Sequence, residues 1–413
     1  MAVPEPWRLA VRLGTIPSLA IALSLFGGLP GGLDRQGYFV GRDFVIFWTA
    51  GRLAATGLLD QIYDLGAFQA AMRALFTPVQ PFMNFSYPPT GLLVLAPLAR
   101  LPYGASYLLW QGAGIACFLA TLLGGKAGPR RAGLVPWLLL SPIVVLEVAI
   151  GQAGFFFAAL VVGAMRRLDR QPLLAGAMIG LISVKPQLGL LFPLVLIARQ
   201  RWDAFAAAAV TTLGLIGLSL LAFGPEPWRA YLAVTLPFQG EVITGMDGFY
   251  TTLMTTPYAG LWWVGVPVPA ALALQGAVSL IVAGGVAWLV RRDPARPDGS
   301  EGAAGLHAAL VAAGCILVTP YCLSYDLAIP ITAALAWRLR CPAPPPRAVD
   351  LALLALFLVP LLGMIVVATR LPLLPLAAAA AFAALAAEAY RAAPPASRPP
   401  RSGRPLAGRL PVG

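Results

Sequence analysis

The sequence predicts an all-α polytopic membrane protein of about twelve transmembrane helices, with a large first outer loop that carries interface helices. Three observations predict it. Of 413 residues, 59% are hydrophobic and only 11% are charged, a balance that soluble domains of this length do not show. The apolar material falls in runs of about 15 to 22 residues, suited to helical spans and unlike the roughly ten-residue alternating segments of a β-barrel. The Lys and Arg residues that produce the net charge of +12 sit in short clusters between those runs, as cytoplasmic loops require.

The elements follow in order from that pattern. The first apolar run, near 12 to 30, begins beside Arg8 and Arg12 and lacks a small-residue cleavage site, so it reads as a retained span rather than a signal peptide. Three runs, near 12 to 30, 88 to 99 and 103 to 125, precede the next basic cluster, Lys126, Arg130 and Arg131. An even number of crossings must separate two cytoplasmic clusters, so one of the three does not cross. The run 88 to 99, "PPTGLLVLAPLA", is too short for about 30 Å of hydrocarbon and is bounded by Pro88-Pro89 and Pro102; it reads as a helix in the outer interface. Residues 31 to 102 thus form the first outer segment. Within it, one amphipathic helix is expected after Asp43, with Phe44, Phe47, Trp48 and Leu53 along a face, and a second near 65 to 76.

Paired runs complete the chain. Those at 133 to 149 and 153 to 165 meet at Gly151-Gln152, and those at 172 to 184 and 187 to 198 meet at Lys185-Pro186-Gln187. The runs 203 to 223 and 266 to 290 flank a second outer loop, 224 to 265, rich in Trp, Tyr and Thr. Those at 304 to 318 and 325 to 337 flank Thr319-Pro320-Tyr321, and spans near 349 to 368 and 371 to 389 follow. Both termini then lie in the cytoplasm. A single membrane domain covers 1 to 391, and the Pro-, Arg- and Gly-rich stretch 392 to 413 reads as a disordered basic cytoplasmic tail.

Composition also excludes several functions. The basic residues do not interleave with aromatics on one polar face, which argues against a nucleic-acid partner. The four cysteines, Cys117, Cys315, Cys322 and Cys341, lack metal-ligand spacing and read as packing residues, as does the single histidine, His307. No phosphate-binding glycine loop and no serine-nucleophile elbow is present. Carboxylate chemistry remains. Polar residues inside apolar runs are costly and need a reason; Glu147, Gln152, Lys185, Gln187 and Asp326 all map to outer ends of different spans, on the side of Asp43, Asp60 and Asp64. Their convergence predicts a shared polar cavity at that face. Asp60 and Asp64 surround "QIY" in a turn, where capping is the ordinary role of Asp; Asp43 stands where it could cap the helix at Phe44 or work as a base.

The run "RDFVIFWTAGRLAATGLLDQIYD", then "NFSYPPTGLLVLAPLARLP", "GQAGFFFAAL", "SVKPQLGLLFPL" and "TPYCLSYDLAIP", together resemble glycosyltransferase family 87, bacterial polyprenyl-phosphate-mannose-dependent enzymes of the GT-C superfamily. The resemblance covers roughly residues 10 to 340 in order. It implies a GT-C-like fold whose first outer loop carries the catalytic acid, and by position Asp43 matches that acid. Tyr87-Pro88-Pro89, Gly151-Gln152 and Lys185-Pro186-Gln187 match three further family elements. Where several relatives carry a histidine between Thr319 and Asp326, this chain has Cys322, Tyr325 and Asp326.

The implied chemistry is economical. A lipid phosphate is already a good leaving group, so transfer needs one carboxylate to take the acceptor's hydroxyl proton and a cation to meet the phosphate. The expected catalytic residue is Asp43. The expected donor-phosphate and substrate residues are Lys185, Gln187, Arg42, Gln152, Tyr87, Asp326 and Glu147, with no metal and no cofactor beyond the lipid-linked sugar itself. The expected partners are membrane lipids, the polyprenyl-phosphate sugar and a glycan or glycolipid acceptor, at the outer face of a bacterial plasma membrane. The competing reading is a transporter or lipid-linked-sugar flippase, which would place its ionisable groups near the midplane and open a path through the bilayer.

Overall fold

The computed structural model describes residues 14–20, 38–76, 83–124, 134–245, 253–292, 301–341, 344–369 and 371–393. Most of the first apolar run and nearly all of the predicted tail lie outside these residues. Apart from one isolated antiparallel bridge between Met254 and Leu323, the described residues are built from helices.

Four described helices are long and apolar enough to cross a membrane: Tyr103–Leu123, Trp202–Phe223, Val268–Arg292 and Leu373–Ala392. Their surfaces carry the expected lipid signature. Trp202–Phe223 buries only Ala204 and Ser219, and Leu221 is 86% exposed. On Val268–Arg292, Leu280 and Ile281 are likewise exposed. Apolar surface on that scale is tolerated where lipid replaces water. Other apolar runs form shorter helices, including Gly154–Arg167, Pro172–Leu181 and Phe192–Ala198. The last two are separated by 3₁₀ turns at Ile182–Val184 and Pro186–Gly189, because Pro186 cannot continue the helical hydrogen-bond ladder through Lys185.

The core lies around Ala328–Arg338, every residue of which is buried. It packs on Glu301–Leu317 and Gly154–Arg167, two helices with many Ala and Gly positions; small residues let backbones approach closely where apolar lipid provides no hydrophobic drive between helices. At the end of the bundle that holds Arg199 and Arg201, both guanidinium groups bind Asp169, at 2.8 and 2.6 Å. Arg338 binds Asp350 at 2.8 Å.

The segment predicted as the first outer one folds, over its described residues 38–76 and 83–102, against the opposite end. Phe44–Ala55 and Leu65–Leu75 are helices at the two predicted places, and Asp64 caps the second by accepting the Ala67 N–H at 2.7 Å. Phe44, Phe47 and Leu53 are buried, and Trp48 donates its indole N–H to the Leu101 carbonyl at 3.1 Å. The apolar run after Pro88-Pro89 forms a 3₁₀ turn, Pro89–Gly91, and a seven-residue helix, Leu92–Leu98. At about 1.5 Å per residue that helix is far shorter than a span. It packs on Phe44–Ala55 through Gly51, where a side chain would run into the Leu95 carbonyl.

Candidate functional site

Gly41 and Gly151 set the site's geometry. Helix Pro142–Ile150 ends at Gly151, whose φ of 84° is left-handed and whose N–H closes on the Glu147 carbonyl at 2.8 Å. The chain entering helix Phe44–Ala55 pairs with that helix end: Gly41 N–H donates to Ala149 O at 3.2 Å and Asp43 N–H to Ile150 O at 2.8 Å. A Cβ on Gly151 would lie 2.6 Å from Phe44 Cβ and 3.1 Å from Gly41 Cα. Replacing Gly151 with Ala is therefore expected to push the Asp43 segment off its anchor and lower turnover at least about tenfold, because the strained φ alone costs about 1–2 kcal/mol. Steady-state kinetics on the folded variant checks this; wild-type turnover would show that the anchor does not set the site.

This junction brings Asp43 to Gln152. Asp43 stands at the N-terminus of Phe44–Ala55 but makes no capping hydrogen bond; instead its Oδ2 accepts from Gln152 Nε2 at 2.6 Å. Gln152 is fixed in turn. Its carbonyl accepts the Trp110 indole N–H at 3.2 Å, and its Oε1 accepts the Tyr87 hydroxyl at 3.4 Å. The walls around Asp43 withdraw its carboxyl from water and push its pKa from 3.8 up to about 6, although Gln152, Lys185 and Arg42 all favour the ionised form. Burial likewise raises the Tyr87 hydroxyl to about 12.

The second half of the site is the buried pair Lys185–Asp326. Their side chains bind directly, and Asp326 Oδ2 also accepts the Leu323 N–H at 3.1 Å. The Lys185 ammonium lies 5.0 Å from the Tyr325 ring centroid and 5.8 Å from that of Tyr87. One of its three N–H donors serves Asp326, so others can serve a ligand.

Asp43, Tyr87, Gln152, Lys185 and Gln187 all line one cavity of about 300 Å³. Five of the eight expected site residues thus share a wall. Asp326 stands just behind it, holding Lys185. Glu147 and Arg42 do not reach it. Glu147 is fully buried and turned toward the next helix, its Oε2 accepting the Gly154 N–H at 3.0 Å, while the Arg42 guanidinium sits over the Tyr38 ring at 4.9 Å. The Gly154 N–H at the start of the next helix holds the Glu147 carboxyl, and the Tyr38 ring holds the Arg42 guanidinium, so neither side chain turns to the cavity.

Sequence reasoning missed two groups. Tyr103, Tyr107 and Trp110 project from one face of Tyr103–Leu123 and hold the junction: Tyr103 donates to Val40 O at 2.7 Å and Tyr107 to Val148 O. Their spacing of four and three residues was a readable signal. Asn84 and Ser86 of the segment before Tyr87, and Phe238 and Gln239 of helix Leu236–Gly245, also line the cavity, and isolated amides outside apolar runs carry no comparable signal. Segment 253–258 is tied to the stretch before Asp326 by Thr255 N–H to Cys322 O at 3.0 Å and Thr256 Oγ to Pro320 O at 3.1 Å.

Among known proteins, the sequence profile of glycosyltransferase family 87 matches residues 85–320, more than half of the chain. The chain is also 25% identical over 198 residues to a polyprenol-phosphate-mannose-dependent alpha-(1-2)-phosphatidylinositol pentamannoside mannosyltransferase of Mycolicibacterium smegmatis, covering 42% of this chain and 44% of that protein. The chain therefore matches less than half the length of this curated relative. No solved structure matches.

Proposed function

Because the chain belongs to glycosyltransferase family 87, we propose that it transfers a hexose, mannose in the first instance, from a polyprenyl-phosphate donor to an acceptor hydroxyl at the outer face of a bacterial plasma membrane. The observation that carries this reading is a carboxylate held by an amide, Asp43 on Gln152, in the same cavity as the Lys185 ammonium. The acceptor oxygen bonds to the anomeric carbon of the donor sugar as its proton passes to Asp43. The bond from that carbon to the phosphate oxygen breaks, and its electron pair leaves with the polyprenyl phosphate, which Lys185 meets. Gln152 turns the carboxylate, and the aromatic walls of Phe47, Tyr87 and Tyr325 limit water that would otherwise intercept the sugar.

The membrane placement proposed with it has about twelve crossings, both termini in the cytoplasm and the cavity outside. Every cavity-lining residue comes from the end of the bundle that carries Asp43, and the opposite end, with Arg199 and Arg338, contributes none. That supports a transferase over a transporter, whose binding site would connect alternately to both sides. The specificity in the relative's name supports a polyprenol-phosphate-mannose donor and a glycolipid acceptor.

Incubating the purified protein with synthetic polyprenyl-phosphate mannose and candidate glycan or glycolipid acceptors, with products read by mass spectrometry, tests the reaction. Absence of donor turnover with every acceptor would sink it. The pH profile tests the base. A carboxylate raised to about 6 must lose its proton to work, so kcat/KM is expected to fall about tenfold per unit below pH 6 and to level off above it. Gln152→Leu removes a hydrogen bond that favours the ionised form, so its acid limb moves to higher pH. A flat profile from pH 5 to 8 would remove Asp43 from the role.

A further inference from the structure

The cavity is chemically divided. Its charged part, Asp43 and Lys185, lies against the bundle, and Lys185 is buried. Its other polar groups are uncharged, and three of them gather away from that pair: Asn84 and Ser86 from the first outer segment, and Gln239 from helix Leu236–Gly245 of the second. No residue of that helix is buried, so it forms the outer wall. Ser86 Oγ accepts from Asn84 Nδ2 within its own segment, at 3.3 Å, and from Gln239 Nε2 of the other segment, at 3.1 Å.

That arrangement leaves a specific set of hydrogen-bonding groups. A serine oxygen has two acceptor positions and one O–H donor. With both acceptor positions taken by amide N–H groups, Ser86 keeps its O–H to donate, and the amide carbonyls of Asn84 and Gln239 keep their acceptor capacity. One donor and two acceptors with no net charge match vicinal hydroxyls of a sugar ring. Phe238, on the same outer helix one position before Gln239, adds an apolar surface suited to the C–H face of such a ring. A phosphate or carboxylate would find no cation among these groups.

We infer that Asn84, Ser86 and Gln239 form a subsite for a neutral sugar ring of the acceptor, spanning the two outer segments. The inference rests on the glycosyl-transfer reading and deepens it. The donor's phosphate belongs with Lys185 at the inner wall, whereas an acceptor arriving from outside meets the outer wall first. A neutral sugar ring could also be that of the donor, and the two sources predict different kinetics.

The test uses the full-length protein in lipid nanodiscs, synthetic polyprenyl-phosphate mannose as donor, and a panel of neutral oligosaccharide glycosides as acceptor probes, with charged sugar phosphates beside them. Ser86→Ala and Gln239→Leu are each expected to raise the acceptor KM about three- to tenfold, the loss of one or two neutral hydrogen bonds, while the donor KM stays at the wild-type value. Gln239→Asn, which keeps the amide, is expected to fall between. The inference is overturned if the acceptor KM is unchanged in both variants, if the donor KM rises instead, or if charged acceptors are used in preference to neutral ones. Wild-type protein that turns over no donor at all would overturn the transfer reading itself, and this subsite with it. Cross-linked cysteines placed at 86 and 239, which remove both hydrogen-bonding side chains, give a readout independent of catalysis: the rise in unfolding temperature that the neutral glycoside gives the wild-type protein must be lost, and an unchanged rise would also overturn the subsite.

Discussion

Replacing Asp43 with Asn is expected to lower the transfer rate by about 10² to 10⁴ while leaving the fold and donor binding largely intact, the ordinary cost of losing a general base. Asn preserves size and can still hydrogen-bond with Gln152, with its amide oxygen in place of the carboxylate oxygen, but it cannot take a proton. Stability should move the other way. The Asp43 carboxyl is raised from 3.8 to about 6, so its protonated form is the one the fold favours. Its stabilising contribution is complete below about 3.8 and is lost as pH rises through about 6. At neutral pH the ionised carboxylate therefore works against the fold, and Asp43→Asn is expected to unfold at the wild-type temperature or above it. A helix cap would behave differently: Asn caps about as well as Asp, so activity would survive. The absence of a capping hydrogen bond at Asp43 already argues against that role. Near-normal turnover by a well-folded Asp43→Asn protein would end the base assignment.

The largest stability effect is expected at Lys185 and Asp326. Both are buried and bound to each other, so removing either charge strands its partner in a medium that solvates it poorly. Breaking such a pair typically costs about 3–5 kcal/mol, whereas replacing both members with apolar groups of similar volume is often close to neutral. Asp326→Asn and Lys185→Met are therefore each expected to lower the unfolding temperature sharply. The double variant Lys185→Met with Asp326→Leu should recover most of the loss. Donor affinity separates structure from function: in the stable double variant the phosphate has lost its ammonium, and donor binding should remain about 10- to 100-fold weaker, the worth of one charge-assisted hydrogen bond. Wild-type donor affinity in that variant would leave Lys185 with a structural role only. Two unperturbed single variants would show that the pair does not stabilise the fold.

The sequence by itself determined that this chain is helical, membrane-embedded and polar at one end. Run length and the absence of period-two alternation exclude a barrel, and the placement of Pro and Gly punctuates the helices. Gly151, with its left-handed φ, and Pro186, which interrupts the helix at Lys185, act through their own backbone geometry and so were legible locally. Asp43, Tyr87, Gln152, Lys185 and Gln187 were legible for another reason: polar groups beside apolar spans are costly enough that their common end of the bundle carries information.

Only the tertiary structure decided the pairings. Asp43 meets Gln152 across 109 residues, and Lys185 meets Asp326 across 141. It also decided that Glu147 and Arg42, although near Gln152 and Asp43 in sequence, turn away from the cavity, and that Ser86 and Gln239 meet at it. Periodicity specifies which face of a helix is apolar and where the helix stops. Which helix lies beside which depends on the shapes that pack, on small-residue seams and on single contacts such as Gly151 against Phe44, and these interactions exist only once distant segments have met.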